Sequence, residues 1–299
     1  MNLYLNQTPA RSRFKQLLGQ ANHLIITILV GLDAVENKLI TECPEHLRTT
    51  WAPKDAATSA ARSRIMTLEM ALVRATDSLD AYIIWSRREP ALIQCETPKK
   101  SIDTSGRSVA KRFNSLDKYY SQPNICLTAL INIMIFWRNE LVHSTSEERL
   151  DTVHLNTLEE NLQWYKNTFQ GMDTSRLVND FRKENPPTLK EITSIIRAVH
   201  KYIEVLDELQ LNQLNPEPYL REVIKNHVNI TSKNKMKIIQ SIWGRNEEER
   251  SRRLKSMLTN YGFSSDRKYG YSSEFSENLI LKYSSFTPKA LISELDLNI

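Results

Sequence analysis

The sequence predicts an all-α protein. Only 7 of its 299 residues are glycine and 40% are hydrophobic, and the hydrophobic residues recur mostly at helical spacing. The strict alternation of apolar and polar residues that strands require is hard to find. A chain of this length and apolar content can bury its core in one large domain or in two modest ones.

The first predicted helix runs from about Ser12 to Thr41 and keeps one apolar stripe throughout. Its run from Leu24 to Leu32 follows basic residues, as in a signal sequence, but the stripe continues past any cleavage site and favours a core helix. No apolar run reaches the ~18 residues that span a membrane. The three cysteines are scattered, which favours a reducing compartment. We therefore expect a cytoplasmic protein that does not enter a membrane.

A second long helix is predicted from about Pro53 to Arg88, and the polar residues 96–108 are expected to form a mobile loop. A short helix follows from Val109 to about Tyr120. Its mixture of basic and aromatic residues could bind RNA, although such aromatic residues more often pack inward. The basic residues in question are Lys111, Arg112 and Lys118.

The most apolar helix of the chain is predicted between about Asn124 and His143, and we expect it to be buried on every side. A capping box from Ser144 to Glu147 then starts a closing helix that carries Leu158, Leu162, Tyr165 and Phe169. Residues 1–172 are therefore predicted to form one helical bundle.

Two further regions complete the predicted organisation. Residues 173–215 form a helical extension packed on the bundle, with a capping box at Thr188 and Glu191. Residues 216–299 form a basic helical C-terminal region, in which residues 264–286 are expected to be irregular. From Arg221 to Gly270 this region has 12 Lys or Arg against 5 Asp or Glu. That excess is compatible with nucleic-acid binding, and equally with a solvated helix face.

Within the basic region, two short helices joined at Trp243-Gly244-Arg245 permit a helix-turn-helix interpretation. Its candidate RNA-binding residues are Arg245, Arg252 and Arg253. The six histidines and three cysteines show no spacing typical of metal ligands, and no Gly-rich phosphate loop is present, so we expect neither a metal nor another cofactor.

The segment Arg138-Asn139-Glu140-Leu141-Val142-His143, at the end of the apolar helix, suggests chemistry. An arginine can hold a phosphate through a bidentate fork, and a histidine can transfer protons near neutral pH. Asn139 and His143 are one helical turn apart and share a face. The alternative is structural: an Arg–Glu pair that closes the helix, with a histidine cap.

This segment resembles the R-x4-6-H motif of HEPN-superfamily ribonucleases, which carry a polar residue after the arginine. The resemblance covers roughly residues 10–170 and implies a bundle of four or five helices, usually a homodimer that joins two motifs. One toxin subgroup has a tyrosine two residues after the motif histidine. Thr145 stands there in this chain, so we do not assign the chain to that subgroup.

The resemblance implies a metal-independent endoribonuclease that leaves a 2′,3′-cyclic phosphate and a 5′-hydroxyl. Its catalytic residues would be Arg138, Asn139 and His143, in a site composed by two copies of the chain. It further implies a toxin or anti-phage defence effector, with RNA as substrate and an antitoxin or defence-system protein as partner. Two alternatives remain: a non-catalytic nucleic-acid-binding protein, and a HEPN-like scaffold that uses the basic C-terminal region. His154, on the closing helix, could face the same cleft.

Overall fold

The computed structural model describes residues 2–121, 123–142, 150–230 and 234–297. Helices dominate these residues, which confirms the predicted all-α class. In chain order the helices are α1 (Pro9–Leu18), α2 (Ala21–Glu36), a short 3-10 helix (Glu45–Leu47), α3 (Ala56–Arg87), α4 (Glu96–Thr104), α5 (Val109–Tyr119), α6 (Ile125–Val142), α7 (Thr152–Glu160), α8 (Leu162–Thr168), α9 (Thr174–Arg182), α10 (Leu189–Gln213), α11 (Pro216–Ile230), α12 (Lys235–Trp243), α13 (Glu247–Thr259), α14 (Glu277–Ser285) and α15 (Pro288–Glu294).

The bundle is built around α6, as the composition of that helix predicted. Nearly every residue of α6 from Cys126 to Trp137 is buried, and α3, α5, α7 and α10 all contact it. Helix α10 begins with the predicted capping box, in which the side chains of Thr188 and Glu191 each accept a hydrogen bond from the other residue's backbone N–H. Helix α6 and the buried face of α10 pack together in the interior of the bundle.

A small antiparallel sheet joins the two ends of the chain. Strand β1 (Leu3–Leu5) lies between β2 (Phe263–Ser264) and β3 (Ser273–Phe275). The strands are only two or three residues long, too short for a detectable alternation of apolar and polar residues. The sheet crosses the predicted boundary at residue 216, and one apolar core runs through all three predicted regions. The sheet and the core thus connect the predicted basic C-terminal region, residues 216–299, to the rest of the described chain.

The first predicted helix is two helices. Helix α1 ends at Leu18, and α2 begins at Ala21 after a turn that contains Gly19. A Cβ atom on Gly19 would lie 2.4 Å from the backbone oxygen of Lys15, so this close approach requires glycine. Burial was also predicted wrongly: Leu24 and Ile28 are exposed, because α2 contacts α3 along only one side.

Three other expectations about local structure are wrong. The predicted loop 96–108 contains α4, and residues 264–286 contain β3 and α14. The closing helix is divided at Asn161 into α7 and α8, which leaves Leu162 exposed. The predicted capping box at 144–147 lies outside the described residues. Helix α7 begins at Thr152, and the Asp151 side chain caps it.

A buried polar network connects α1, α3 and α10. The Asp207 carboxylate is fully buried, and it accepts hydrogen bonds from the hydroxyls of Thr8 and Tyr82. Arg11 lies with its Nη1 atom 3.8 Å from Asp207 and its Nη2 atom 2.6 Å from Glu204. Burial raises the pKa of Asp207, against the opposing effect of the Thr8 bond and the Arg11 charge. This network fixes the first helix against the bundle.

Histidine burial predicts how stability depends on pH. Burial lowers the pKa of His154, His200 and His227 below the ordinary value of 6.5. The folded state favours the neutral rings, so their contribution to stability is complete above about pH 6.5 and is lost as the pH falls towards the folded-state pKa. We expect the free energy of unfolding to decrease on acidification, by at most about 1.4 kcal/mol per pH unit for each histidine.

Urea unfolding at several pH values, compared between the parent and His200→Phe, would measure this effect. Phenylalanine keeps a ring against Phe14, whose centroid lies 4.9 Å from that of His200, and it cannot take up a proton. Its unfolding free energy is expected to change less between about pH 7.5 and about pH 5.5. Identical pH profiles for the two proteins would contradict the prediction.

Candidate functional site

The exposed end of α6 presents the predicted Arg138. The helix is buried as far as Trp137 and then leaves the core, so that Leu141 and Val142 are exposed. Arg138 lies at this transition, with 19% of its side chain exposed. The apolar seam of α6 therefore delivers a guanidinium to the surface of the bundle.

Two long contacts hold the Arg138 guanidinium. Its Nη2 atom lies 3.4 Å from a carboxylate oxygen of Asp77 on α3, and its Nη1 atom donates to the Asn139 side-chain oxygen at 3.3 Å. Its buried Nε has no hydrogen-bond partner within the described part of the chain. Asp77 is itself 56% exposed, and such exposed pairs contribute little energy. Arg138 is thus positioned but only loosely paired.

The structure describes two of the three predicted catalytic residues. Asn139 contacts Arg138 and is partly exposed, whereas His143 lies outside the described residues. Glu140 is exposed at the surface, and desolvation by neighbouring protein atoms together with the nearby charge of Glu184 raises its pKa. The alternative of an Arg–Glu pair that closes the helix is not supported, because no hydrogen bond joins Arg138 to Glu140. The carboxylate beside Arg138 belongs to Asp77.

Asp77 was not singled out in the sequence. The available signal was the spacing of Asp77 and Asp80, three residues apart on one face of α3. Each of them contacts an arginine, Arg138 and Arg112 respectively. Such a pair of carboxylates resembles an ordinary solvated helix face until the packing of α5 and α6 is known.

His154 lies on α7 and is more buried than exposed. Burial lowers its pKa, against the opposing charges of Asp151 and Asp117. Its Nδ1 atom has no hydrogen-bond partner among residues 2–121, 123–142, 150–230 and 234–297. No contact connects it to Arg138 or Asn139 within those residues, so its predicted place in the same cleft stays a prediction.

Arg112 does not belong among the RNA-binding candidates. Its guanidinium makes a bidentate ion pair with Asp80, at 2.7 and 2.8 Å, and it also donates to the backbone oxygen of Gly106. Arg112 is buried, so its side chain joins α5 to α3 instead of facing a ligand. The aromatic residues of this segment differ in exposure. Phe113 and Tyr120 are buried, as expected if such residues pack inward, whereas Tyr119 is exposed.

The other cations of α5 do face solvent. Lys111 and Lys118 are exposed, and both line a cavity of ≈ 640 Å³ between α4, α5 and α6. Phe136 of α6 closes one side of the cavity. Two of the three candidate cations on α5 are therefore available to a ligand.

Of the C-terminal candidates, Arg252 and Arg253 lie on α13, and Arg245 lies in the turn that joins α12 to α13. Arg245 and Arg252 are exposed, whereas Arg253 donates to the Ser241 backbone oxygen at 2.9 Å and is only partly exposed. Helix α13 begins with three consecutive glutamates, 247–249. In a helix-turn-helix this end of the second helix enters the major groove, where three carboxylates would be repelled by DNA. The charge pattern therefore argues against that interpretation.

In the described part of the chain, two stretches are long and apolar enough to cross a membrane, Pro9–Glu36 and Ile125–Val142. The second is the core helix α6, and the first covers α1 and α2 near the N-terminus. Such evidence is weak, because core helices and signal sequences have the same properties.

Within the described residues, no three His, Cys, Asp or Glu side chains are grouped so that they could hold a metal ion. Comparison of the chain with protein-family models, with curated proteins and with solved structures finds no match.

Proposed function

We propose that this protein is a metal-independent endoribonuclease whose catalytic residues are Arg138, Asn139 and His143. The observation that carries the proposal is the loosely paired Arg138, held at the edge of the core with an unpartnered Nε atom. A charged group is costly to keep partly buried without strong partners. A phosphate could supply those partners by accepting bidentate hydrogen bonds from the guanidinium.

The proposed reaction is an internal transfer within RNA. The ribose 2′-oxygen attacks the adjacent phosphorus while the bond to the 5′-oxygen breaks, so the products are a 2′,3′-cyclic phosphate and a 5′-hydroxyl. His143 removes the 2′ proton or protonates the leaving oxygen. Arg138 stabilises the negative charge on the phosphate in the transition state, and Asn139 orients the phosphate or the histidine. The need for a 2′-hydroxyl makes RNA, and not DNA, the substrate.

A homodimer with a composite site belongs to the proposal, because one helix end cannot surround a phosphate. An exposed apolar groove supports association: Leu24, Ile28, Met66 and Met70 line a cavity of ≈ 780 Å³ between α2 and α3. Exposed apolar patches commonly mark interaction surfaces. Arg74 also lines the groove, about one helical turn before Asp77 on α3. A strictly monomeric protein with full activity would overturn the composite site.

The biological role that we propose is a cytoplasmic toxin or anti-phage effector, controlled by an antitoxin or defence-system protein. This part of the proposal rests on the resemblance of the motif from Arg138 to His143. The alternative of a non-catalytic nucleic-acid-binding protein has one supporting observation, the exposed Arg245 and Arg252. It would be favoured by salt-sensitive binding that persists after loss of Arg138 and His143.

Cleavage of total RNA in EDTA tests the proposal, with His143→Ala as the matched variant. The parent protein is expected to cut the RNA and to leave cyclic-phosphate ends, which phosphatase removes only after acid opening. Loss of a general acid or base typically costs about 10²–10⁴-fold in rate, so His143→Ala should be nearly inactive. Equal cutting by both proteins would exclude His143 as a catalytic residue.

A further inference from the structure

Helix α5 carries the same pair of residue types twice on one face. Ser108 precedes Lys111 by three residues, and Ser115 precedes Lys118 by three. The two pairs are seven residues apart, nearly two full turns, and are therefore separated by about 10.5 Å along the helix. All four side chains line the cavity of ≈ 640 Å³ between α4, α5 and α6. The repeat thus forms a continuous polar strip along one wall.

Two lysines give the strip its positive charge. Among the residues that the structure describes, no Asp or Glu lines the cavity, and neither Lys111 nor Lys118 makes an ion pair. Nearby cations are different. Lys99 contacts Glu89 and Glu96, while Arg87 contacts Asp103 and Arg112 contacts Asp80. The two lysines of the strip are therefore free to bind an anion without first breaking an internal pair.

The serine hydroxyls of the strip can donate to the same anion. The Ser108 oxygen accepts from the backbone N–H of Lys111 at 3.3 Å, and the Ser115 oxygen accepts from the Ser101 hydroxyl at 2.8 Å. The Ser108 oxygen is the acceptor in its bond, so its hydroxyl hydrogen stays available, and the Ser115 hydroxyl can rotate between Ser101 and a ligand. Each pair accordingly offers an ammonium and a hydroxyl, which is a suitable donor set for a phosphate oxygen.

The strip leads towards Arg138. Helices α5 and α6 run antiparallel, because Asp117 bonds Thr128 whereas Asn114 bonds Asn132, further along α6. The earlier pair of α5, Ser108 with Lys111, therefore lies towards the C-terminal end of α6. Phe136 lines the cavity, and Asn139 follows it by three residues on the same side of α6.

We infer that this strip binds the sugar–phosphate backbone of single-stranded RNA and guides the strand to Arg138 and Asn139. Two donor pairs separated by about 10.5 Å extend beyond one phosphate group, so an extended polyanion fits them better than a single anion. The choice of RNA as the polyanion rests on the proposed function. The binding itself depends only on the strip.

Fluorescence anisotropy of the full chain with a labelled single-stranded RNA of about twelve nucleotides tests the inference. The RNA carries 2′-O-methyl groups, so the proposed reaction cannot consume it. Lys111→Gln with Lys118→Gln is expected to weaken binding at least tenfold, and to reduce the slope of log affinity against log salt by about 1.4, or about 0.7 per lost phosphate contact. Arginine at both positions should restore binding.

The matched control is Lys166→Gln with Lys190→Gln, which removes two exposed lysines from α8 and α10. This variant is expected to bind as the parent does, and thermal unfolding checks that both double variants fold. Equal affinities for the two double variants would overturn the inference. Inorganic phosphate should displace the RNA only weakly, because each phosphate ion occupies one serine–lysine pair. Displacement by inorganic phosphate at a concentration equal to that of the RNA phosphate groups would overturn the inference that the strip binds an extended strand.

The two proposals can fail separately. If the protein binds RNA through Lys111 and Lys118 but does not cleave it, the RNA-binding strip is supported and the ribonuclease function is refuted. If cleavage depends on Arg138 but neither its rate nor its KM changes with the lysine substitutions, the ribonuclease function is supported and the RNA-binding strip is refuted.

Discussion

Replacing Arg138 with alanine is expected to lower the rate of RNA cleavage by about 10²–10³-fold, the usual cost of removing one donor that stabilises transition-state charge. The guanidinium is the one cation that α6 brings to the motif. The stability of the fold should change little. The contact with Asp77 is long and its carboxylate is 56% exposed, and pairs of this kind contribute about 0–1 kcal/mol. Single-turnover cleavage and urea unfolding measure the two effects.

Two companion variants separate charge from geometry. Arg138→Lys keeps the positive charge but loses the planar fork, so we expect activity between those of the parent and of Arg138→Ala. Asp77→Asn removes the competing carboxylate and should leave cleavage equal or faster, with a lower KM. A parental rate for Arg138→Ala, with the fold intact, would refute the catalytic role.

Replacing Arg11 with methionine is expected to lower the free energy of unfolding by about 3–5 kcal/mol, the cost of leaving a buried charge without its partner. The side chain of Asp207 is fully buried, and Arg11 is the cation nearest to it, at 3.8 Å. Methionine retains much of the apolar volume of the arginine stem, so the loss reports mainly on charge. Urea unfolding of the purified variant at neutral pH measures it.

A double-mutant cycle and a pH series provide the controls. In Arg11→Met combined with Asp207→Asn, no carboxylate is left unpaired, so the double variant should be more stable than Arg11→Met alone. Burial already raises the pKa of Asp207, and loss of Arg11 should raise it further. Its protonated form then dominates at low pH, so the deficit of Arg11→Met should shrink as the pH falls through that pKa. A loss of stability in Arg11→Met that changes neither with Asp207→Asn nor with pH would refute the role of the buried Asp207 charge.

The sequence predicted the interior better than the surface. The burial of α6 and the capping box of α10 followed from composition and local hydrogen bonding, which the neighbouring residues determine. The exposure of Leu24 and Ile28 did not follow, because the same apolar pattern occurs on helices that are covered and on helices that are not. The strands β1 to β3 were missed because their pairing partners lie more than 250 residues apart.

The candidate site divides in the same way. The sequence by itself determined the all-α class and the position of Arg138 and Asn139 at the end of the apolar helix α6, since both depend on the residues next to each other in the chain. Only the tertiary structure decided what each charge contacts: Asp77 beside Arg138, Asp80 paired with the buried Arg112, and no carboxylate beside Lys111 or Lys118 among the described residues. An ion pair depends on which helix faces which, and that arrangement is set by the packing of the whole core.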